Sequence, residues 1–272
     1  MSGQRLRPRR IVCLTEETVE TLYLLGEQDR IVGVSGYAVR PPQVRQEKPR
    51  VSAFISADLP KILALKPDLV LAFSDMQAQI IADLARAGCA VHLFNQRSIA
   101  GILDMIGTLS DLVGVPEAGD ALVKDLSIRL EAARERGAAR RHRPKVYFEE
   151  WDAPLICGIG WVSDLIALAG GTDVFADRAR QPGAQGRIVS PEDVIAAAPD
   201  LVLGSWCGKR FRPERFAARP GFAALPAVRD GAVHEIKSSL ILQPGPAALT
   251  DGLDAILAVM DRWEAGKAVP AL

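Results

Sequence analysis

A twelve-residue segment occurs twice in this chain, and that repeat constrains the fold more than any other feature. Lys61-Ile-Leu-Ala-Leu-Lys-Pro-Asp-Leu-Val-Leu-Ala72 matches Asp193-Val-Ile-Ala-Ala-Ala-Pro-Asp-Leu-Val-Leu-Gly204 at six of twelve positions. In both copies a helical pattern runs into Pro, which disfavours helix at the residue before it, and a strand follows directly. Each strand is continuously apolar rather than alternating, the signature of burial on both faces. Comparable runs lie at 10–14, 31–35, 91–95, 146–149 and 233–236, beside the repeat's own 69–73 and 201–205. Helical stripes separate them at 19–26, 59–65, 77–87, 162–169, 191–197 and 249–263. Such alternation predicts α/β architecture with mostly parallel sheets, one in each half.

The strand signal lapses between Ser98 and about Arg143. Ile99, Ile102, Leu103, Ile106, Leu109, Leu112 and Val113 make one helical stripe,. Pro116 opens a second helix, expected over about 117–139 and roughly 35 Å long at 1.5 Å per residue. Its basic end, 134–143, reads as a solvated helix terminus where cations complement the helix dipole,. Three parts are therefore expected: an N-terminal α/β lobe at 1–115, a bridging helix at 116–143 and a C-terminal α/β lobe at 144–272. Each lobe is Rossmann-like, with helices flanking its sheet. A ligand cleft between the lobes is expected, because open α/β sheets bind ligands beyond the carboxyl ends of their strands.

Composition narrows the function. Lys+Arg and Asp+Glu both number 33 in 272 residues, which argues against nucleic-acid binding, where a basic excess is the rule. No apolar run is long enough for a membrane span, so no membrane insertion is expected,. Cys13, Cys89, Cys157 and Cys207 lie far apart without a C-x-x-C pair, so neither a zinc ribbon nor a redox motif is visible, and the first three sit in apolar runs as small core residues,. Arg5, Arg7, Arg9 and Arg10 are followed by only Ile11-Val-Cys-Leu14 before Thr15-Glu16-Glu17, too short for the apolar region of a secretory signal. As written, the chain is expected in the cytoplasm, or in the periplasm if a leader precedes it. There is no G-x-G-x-x-G, no phosphate-binding loop and no nucleophile elbow, so no enzyme class is indicated.

A family resemblance enters through Arg30-Ile-Val-Gly-Val-Ser-Gly-Tyr37, Pro41-Pro42, Val51-Ser-Ala-Phe54, the 62–73 segment, Leu165-Ile-Ala-Leu-Ala-Gly-Gly-Thr-Asp-Val-Phe175 and Val189-Ser-Pro-Glu-Asp-Val194. Together with the bridging helix they resemble the substrate-binding receptors of bacterial ABC importers whose lobes are joined by one rigid helix. Those receptors bind cobalamin, haem, ferric siderophores or metal ions. The resemblance spans about residues 9–263 and is strongest to the cobalamin receptors. It implies a monomer that captures a corrinoid or related metal chelate without catalysis, needs no further cofactor, and works with an ABC permease. It also implies cleft aromatics at Tyr37, Phe54 and Phe73. A late acid and arginine of those receptors fall here on Ser239 and Gln243, a departure that points to a different ligand or orientation. Their permease-docking glutamates fall on Glu192 and, in the first lobe, on Pro60, with Asp58 two residues earlier. Glu192 also suits the first turn of a helix capped by Ser190 and opened by Pro191.

Further cleft candidates come from the strand ends themselves. Glu16 and Glu17 follow the first strand, with Thr15 placed as a helix cap. Glu149 and Glu150 end the first strand of the second lobe and point to opposite sides, so at most one faces the cleft. Trp151 is placed to stack on a flat ligand, and Trp206, after the repeated strand, is the leading contact of that lobe. Arg97 is placed to face a carboxylate or phosphate. Cys207 and His234 are the candidates for holding a soft metal, although no ligand-pair spacing joins them. An alternative function keeps the fold but makes the protein a cytoplasmic carrier or sensor of a metal chelate, haem or siderophore.

Overall fold

The computed structural model describes residues 7–267. The chain divides into two compact units: unit 1 holds the residues up to Gln96 together with Ala100–Asp125, and unit 2 holds Arg97–Ile99 and everything from Leu126 on.

Unit 1 is built on β1 (Ile11–Cys13), β2 (Ile31–Ser35), β3 (Arg50–Ser52), β4 (Leu69–Phe73) and β5 (Val91–Phe94), ordered β3-β2-β1-β4-β5 with every pairing parallel. Its helices are α1 (Glu16–Leu24), α2 (Val44–Glu47), α3 (Leu59–Ala64), α4 (Ala78–Arg86) and α5 (Ile99–Val113), the last from Ala100 on, followed by the start of α6 (Pro116–Ala138). The central strands β1 and β4 are buried along their whole length, which is why they read as unbroken apolar runs.

Unit 2 carries β6 (Lys145–Asp152), β7 (Leu155–Cys157), β8 (Thr172–Asp173), β9 (Leu201–Gly204) and β10 (Val233–Glu235). Their order is β10-β9-β6-β7, with β8 also on β6, and only the β6–β7 hairpin is antiparallel. Its helices are α7 (Gly160–Leu168), α8 (Ala176–Ala179), α9 (Pro191–Ala197), α10 (Pro213–Ala217), α11 (Pro226–Arg229), α12 (Ser238–Ile241) and α13 (Leu253–Lys267), the last entered through a π-helical turn at Ala248–Gly252. The expected α/β class with mostly parallel sheets is what the chain adopts.

The sequence repeat is a structural repeat down to single hydrogen bonds. Its two strands are β4 and β9, which pair in parallel with the first strand of their own units, Ile11 opposite Leu69 and Val146 opposite Leu201. Before each strand the helix ends in a left-handed residue, Lys66 (φ 48°) and Ala198 (φ 44°), ahead of the shared Pro. The shared aspartate then clamps the incoming first strand. Asp68 accepts the backbone N–H groups of Arg9 (2.8 Å) and Arg10 (2.9 Å), and Asp200 accepts that of Lys145 (2.9 Å). A basic side chain on the same strand reaches back to the helix's last carbonyls: Arg10 to Leu65 (2.6 and 2.8 Å), Lys145 to Ala197 (2.9 Å). At about 1 kcal/mol net per bond, each clamp fixes the entry of its central strand.

The expected long helix forms as α6, of 23 residues. From Leu126 on it belongs to unit 2, where Leu126, Leu130 and Ala133 form a buried stripe. Its basic end is not simply solvated: Arg129 and Arg136 pair with Asp254 and Asp261, and just past the helix Arg140 bonds Asp261 (2.7 Å) and Glu264 (3.0 Å). The acids of α13 take those cations, so Arg129, Arg136 and Arg140 clamp two helices of one unit, while Arg134 pairs with Glu131 of its own helix. Among the described residues no helix is long and apolar enough to cross a membrane.

Candidate functional site

In unit 1 the strand order reverses direction between β1 and β4, so the crevice beyond their carboxyl ends is where an open α/β sheet holds a ligand,. Thr15, Glu16 and Glu17 open α1 there. Thr15 occupies the cap position but accepts no backbone N–H of the helix; its hydroxyl donates to Glu17 Oε1 at 2.6 Å instead. Glu17 is buried and Glu16 half-buried. Burial pushes the Glu17 carboxyl up to about 8 against the opposing pull of Thr15, and the Glu16 carboxyl up to about 7 against its own backbone N–H. A helix N-terminus favours carboxylates, yet desolvation wins here because, among the described residues, no cation pairs with either,.

Gln77 ties the neighbouring strand ends together and was not visible in the sequence as more than a helix start. Fully buried, it accepts the Phe73 N–H at 3.1 Å and donates to the carbonyls of Phe54 (2.8 Å) and Leu14 (3.4 Å). Beside it Ser74 holds a positive φ of 66°, a strained position of the sort that persists only where the surroundings impose it. Phe73 is buried beneath this junction, which corrects its expected place on the ligand surface; Phe54 is half-buried and Tyr37 half-exposed. The large apolar side chains exposed just after these strands are Tyr37 (50% exposed), Ile55 (67%) and Met76 (58%), one following each of β2, β3 and β4.

In unit 2 the corresponding switch lies between β6 and β9. Glu149 is fully buried and saturated: Arg219 donates to both oxygens (2.6 and 2.8 Å), Trp206 Nε1 to one (2.9 Å) and the Tyr147 hydroxyl to the other (3.2 Å). With its acceptor sites filled, Glu149 offers a ligand nothing, which corrects its expected role. Trp206 is corrected as well. It is 1% exposed and packs edge-on to Phe211, ring centroids 4.9 Å apart. Glu150 turns to the other side and pairs with the buried Arg187, which also donates to the Cys157 carbonyl at 2.7 Å. Beyond these, Asp152 pairs with Lys209, whose ammonium stands 4.0 Å over the Trp151 ring. Arg187, Lys209 and Arg219 were all missed by sequence reasoning.

The remaining candidates scatter. Arg97 is half-buried in unit 2, where any side chain at Gly160 would collide with its carbonyl. Ser239 lies half-buried in α12, and Gln243 is buried just after it with its Oε1 unpartnered. Asp58 caps α3 by accepting the Lys61 N–H at 3.0 Å, whereas Glu192 is exposed in the first turn of α9. Cys207 is exposed after β9, and His234 sits within β10, its imidazole lowered by burial and then by Arg262. Neither joins a group that could hold a metal, since among the described residues no cluster of three or more His, Cys, Asp or Glu is so arranged.

These two sheets, each with its switch point, match known proteins over nearly the whole chain. The periplasmic binding protein family model covers residues 11–240. This chain belongs to that family. The vitamin B12-binding protein of Vibrio cholerae serotype O1 is 29% identical over 244 residues, 88% of this chain and 85% of that protein. The crystal structure of the periplasmic vitamin B12 binding protein BtuF of Vibrio cholerae superposes with a TM-score of 0.76 at 26% identity, covering 96% of this chain and 99% of that one. The periplasmic heme-binding protein RhuT from Roseiflexus sp. RS-1, in its apo form, does so with a TM-score of 0.79 at 26% identity, covering 92% and 98%. The family consists of solute binders, so the chain is a binding protein and not an enzyme.

Proposed function

We propose that the protein binds a corrinoid of the cobalamin type, as the substrate-binding component of an ABC import system. The observation that carries the reading is the exposed apolar set Tyr37, Ile55 and Met76 on successive loops of unit 1. Large apolar side chains exposed beyond the carboxyl ends of one sheet suit the flat, apolar face of a macrocycle. The vitamin B12-binding relatives support the corrinoid over other chelates, and the heme-binding neighbour makes haem the competitor. The test is an equilibrium titration of the purified protein with cyanocobalamin and, separately, with haemin, followed by visible absorption. Saturable binding of cyanocobalamin at micromolar concentration is the expected result. A folded protein that ignores cyanocobalamin overturns the ligand assignment, and selective haemin binding replaces it.

A second reading is favoured by Asp58, whose carboxylate is engaged as the cap of α3, leaving exposed Glu192 as the docking acid of the pair. On that reading the protein carries or senses the same ligand in the cytoplasm. Fractionation of the native host separates the two: a periplasmic pool sinks the carrier role.

A further inference from the structure

Four consecutive residues of unit 2, Cys207, Gly208, Lys209 and Arg210, are exposed between two buried aromatics, Trp206 and Phe211. Both ends are anchored. Trp206 donates to Glu149 (2.9 Å), and the Phe211 N–H donates to Glu235 (2.9 Å). The segment between has slack: Gly208 holds a φ of +73°, and a Cβ there would meet nothing within 4 Å. Arg210 pairs with Glu235 at 3.8 Å, and the Lys209 side chain turns inward. The ammonium pairs with Asp152, lies 4.0 Å from the Trp151 ring centroid and 5.0 Å from that of Trp206. Trp151 is fixed beneath it, packed on the buried cluster of Tyr147, Leu155 and Trp206, with its indole N–H on the Ala153 carbonyl (3.0 Å). A fixed indole at the end of β6 is thus covered by the tip of an exposed lysine side chain.

We propose that Lys209 is a placeholder over the face of Trp151 that a flat ligand takes, and that ligand binding swings it away. This rests on the strand-end reading above and names the step by which unit 2 engages its ligand. The contacts that hold Lys209 are of the kind that break readily. A partly exposed cation–π pair is weak, the ion pair is open to water on its Lys209 side, 39% exposed against 11% for Asp152, and the departing ammonium regains its hydration. The anchored aromatics on either side confine the movement to four residues.

The test uses Lys209→Gln and Asp152→Asn in a Trp263→Phe background, since Trp161 and Trp206 are buried and Trp263 would add signal. Collisional quenching of the ligand-free protein by acrylamide reports whether Trp151 is covered; Lys209→Gln raises it, and a further Trp151→Phe change abolishes the rise. Cyanocobalamin titration reports the displacement. With one competitor removed, Lys209→Gln binds about 3- to 30-fold more tightly, and Asp152→Asn shifts affinity the same way by less. Unchanged quenching, or an affinity that stays equal or falls in Lys209→Gln while the parent binds, overturns the placeholder alone. A parent protein that binds neither cyanocobalamin nor haemin fails the functional reading and takes this one with it.

Discussion

The first strand of each unit ends in acids, and the two units treat them in opposite ways. In unit 2 each acid has a cation: Glu149 has Arg219, Glu150 has Arg187 and Asp152 has Lys209. In unit 1, Glu16 and Glu17 have none among the described residues, and burial lifts them towards neutrality. The same local sequence habit therefore yields a charge-balanced strand end in one unit and a proton-holding one in the other. Unit 2 balances its strand-end charges by pairing, with Lys209 left over Trp151. Unit 1 is held by a neutral tie, Gln77, and leaves its apolar side chains open.

Removing the cation from unit 2 is the strongest way to break the contrast. Arg219→Met leaves Glu149 buried and unpaired, and a loss of about 3–5 kcal/mol is expected, read from the shift of a denaturant-unfolding midpoint. Adding Glu149→Gln should restore much of it, because the orphan charge is gone. If the single variant unfolds no more easily than the parent, the pairing contributes nothing to the unit's stability.

The unit 1 acids sharpen the contrast through pH. A carboxyl near 4.5 in the unfolded chain and near 8 when folded binds its proton more tightly in the native state. The stability this brings is fully present below about pH 4.5 and is lost as pH rises through 8, at up to about 1.4 kcal/mol per pH unit. Glu17→Gln should flatten that slope and stabilise the protein by on the order of 2 kcal/mol at pH 8, measured by unfolding at pH 5 and pH 8. A parent protein whose stability does not fall over that range contradicts the account. The neutral tie gives a smaller effect of about 2 kcal/mol or less for Gln77→Ala, from its lost bonds to buried carbonyls. Faster hydrogen exchange at the ends of β1 and β4 should accompany it.

Much of the scaffold was legible because burial on both faces writes itself as an apolar run; β1, β4, β6 and β9 all announce themselves this way. β3, buried only at Val51, and the two-residue β8 make no apolar run. The repeat predicted matched helix-to-strand units, and the shared Asp68 and Asp200 turn out to do the same job in each. The site was less legible. Trp206 and Glu149 read as cleft contacts, whereas the structure buries both. The sequence shows an aromatic and an acid at strand ends, not that Arg219, 70 positions from Glu149, buries both in one network. Lys209 meets Asp152 across 57 positions, a contact only the folded sheet creates.

The central claim is that the strand-end face of unit 1 receives the ligand. Tyr37 is half-exposed, so Tyr37→Ala should leave thermal stability within about 0.5 kcal/mol of the parent. The most direct measurement is the cyanocobalamin affinity of that variant beside the parent. A loss of roughly tenfold or more, as for an aromatic anchor, with unchanged unfolding, is the predicted result. Equal affinity in a folded Tyr37→Ala protein would contradict the claim.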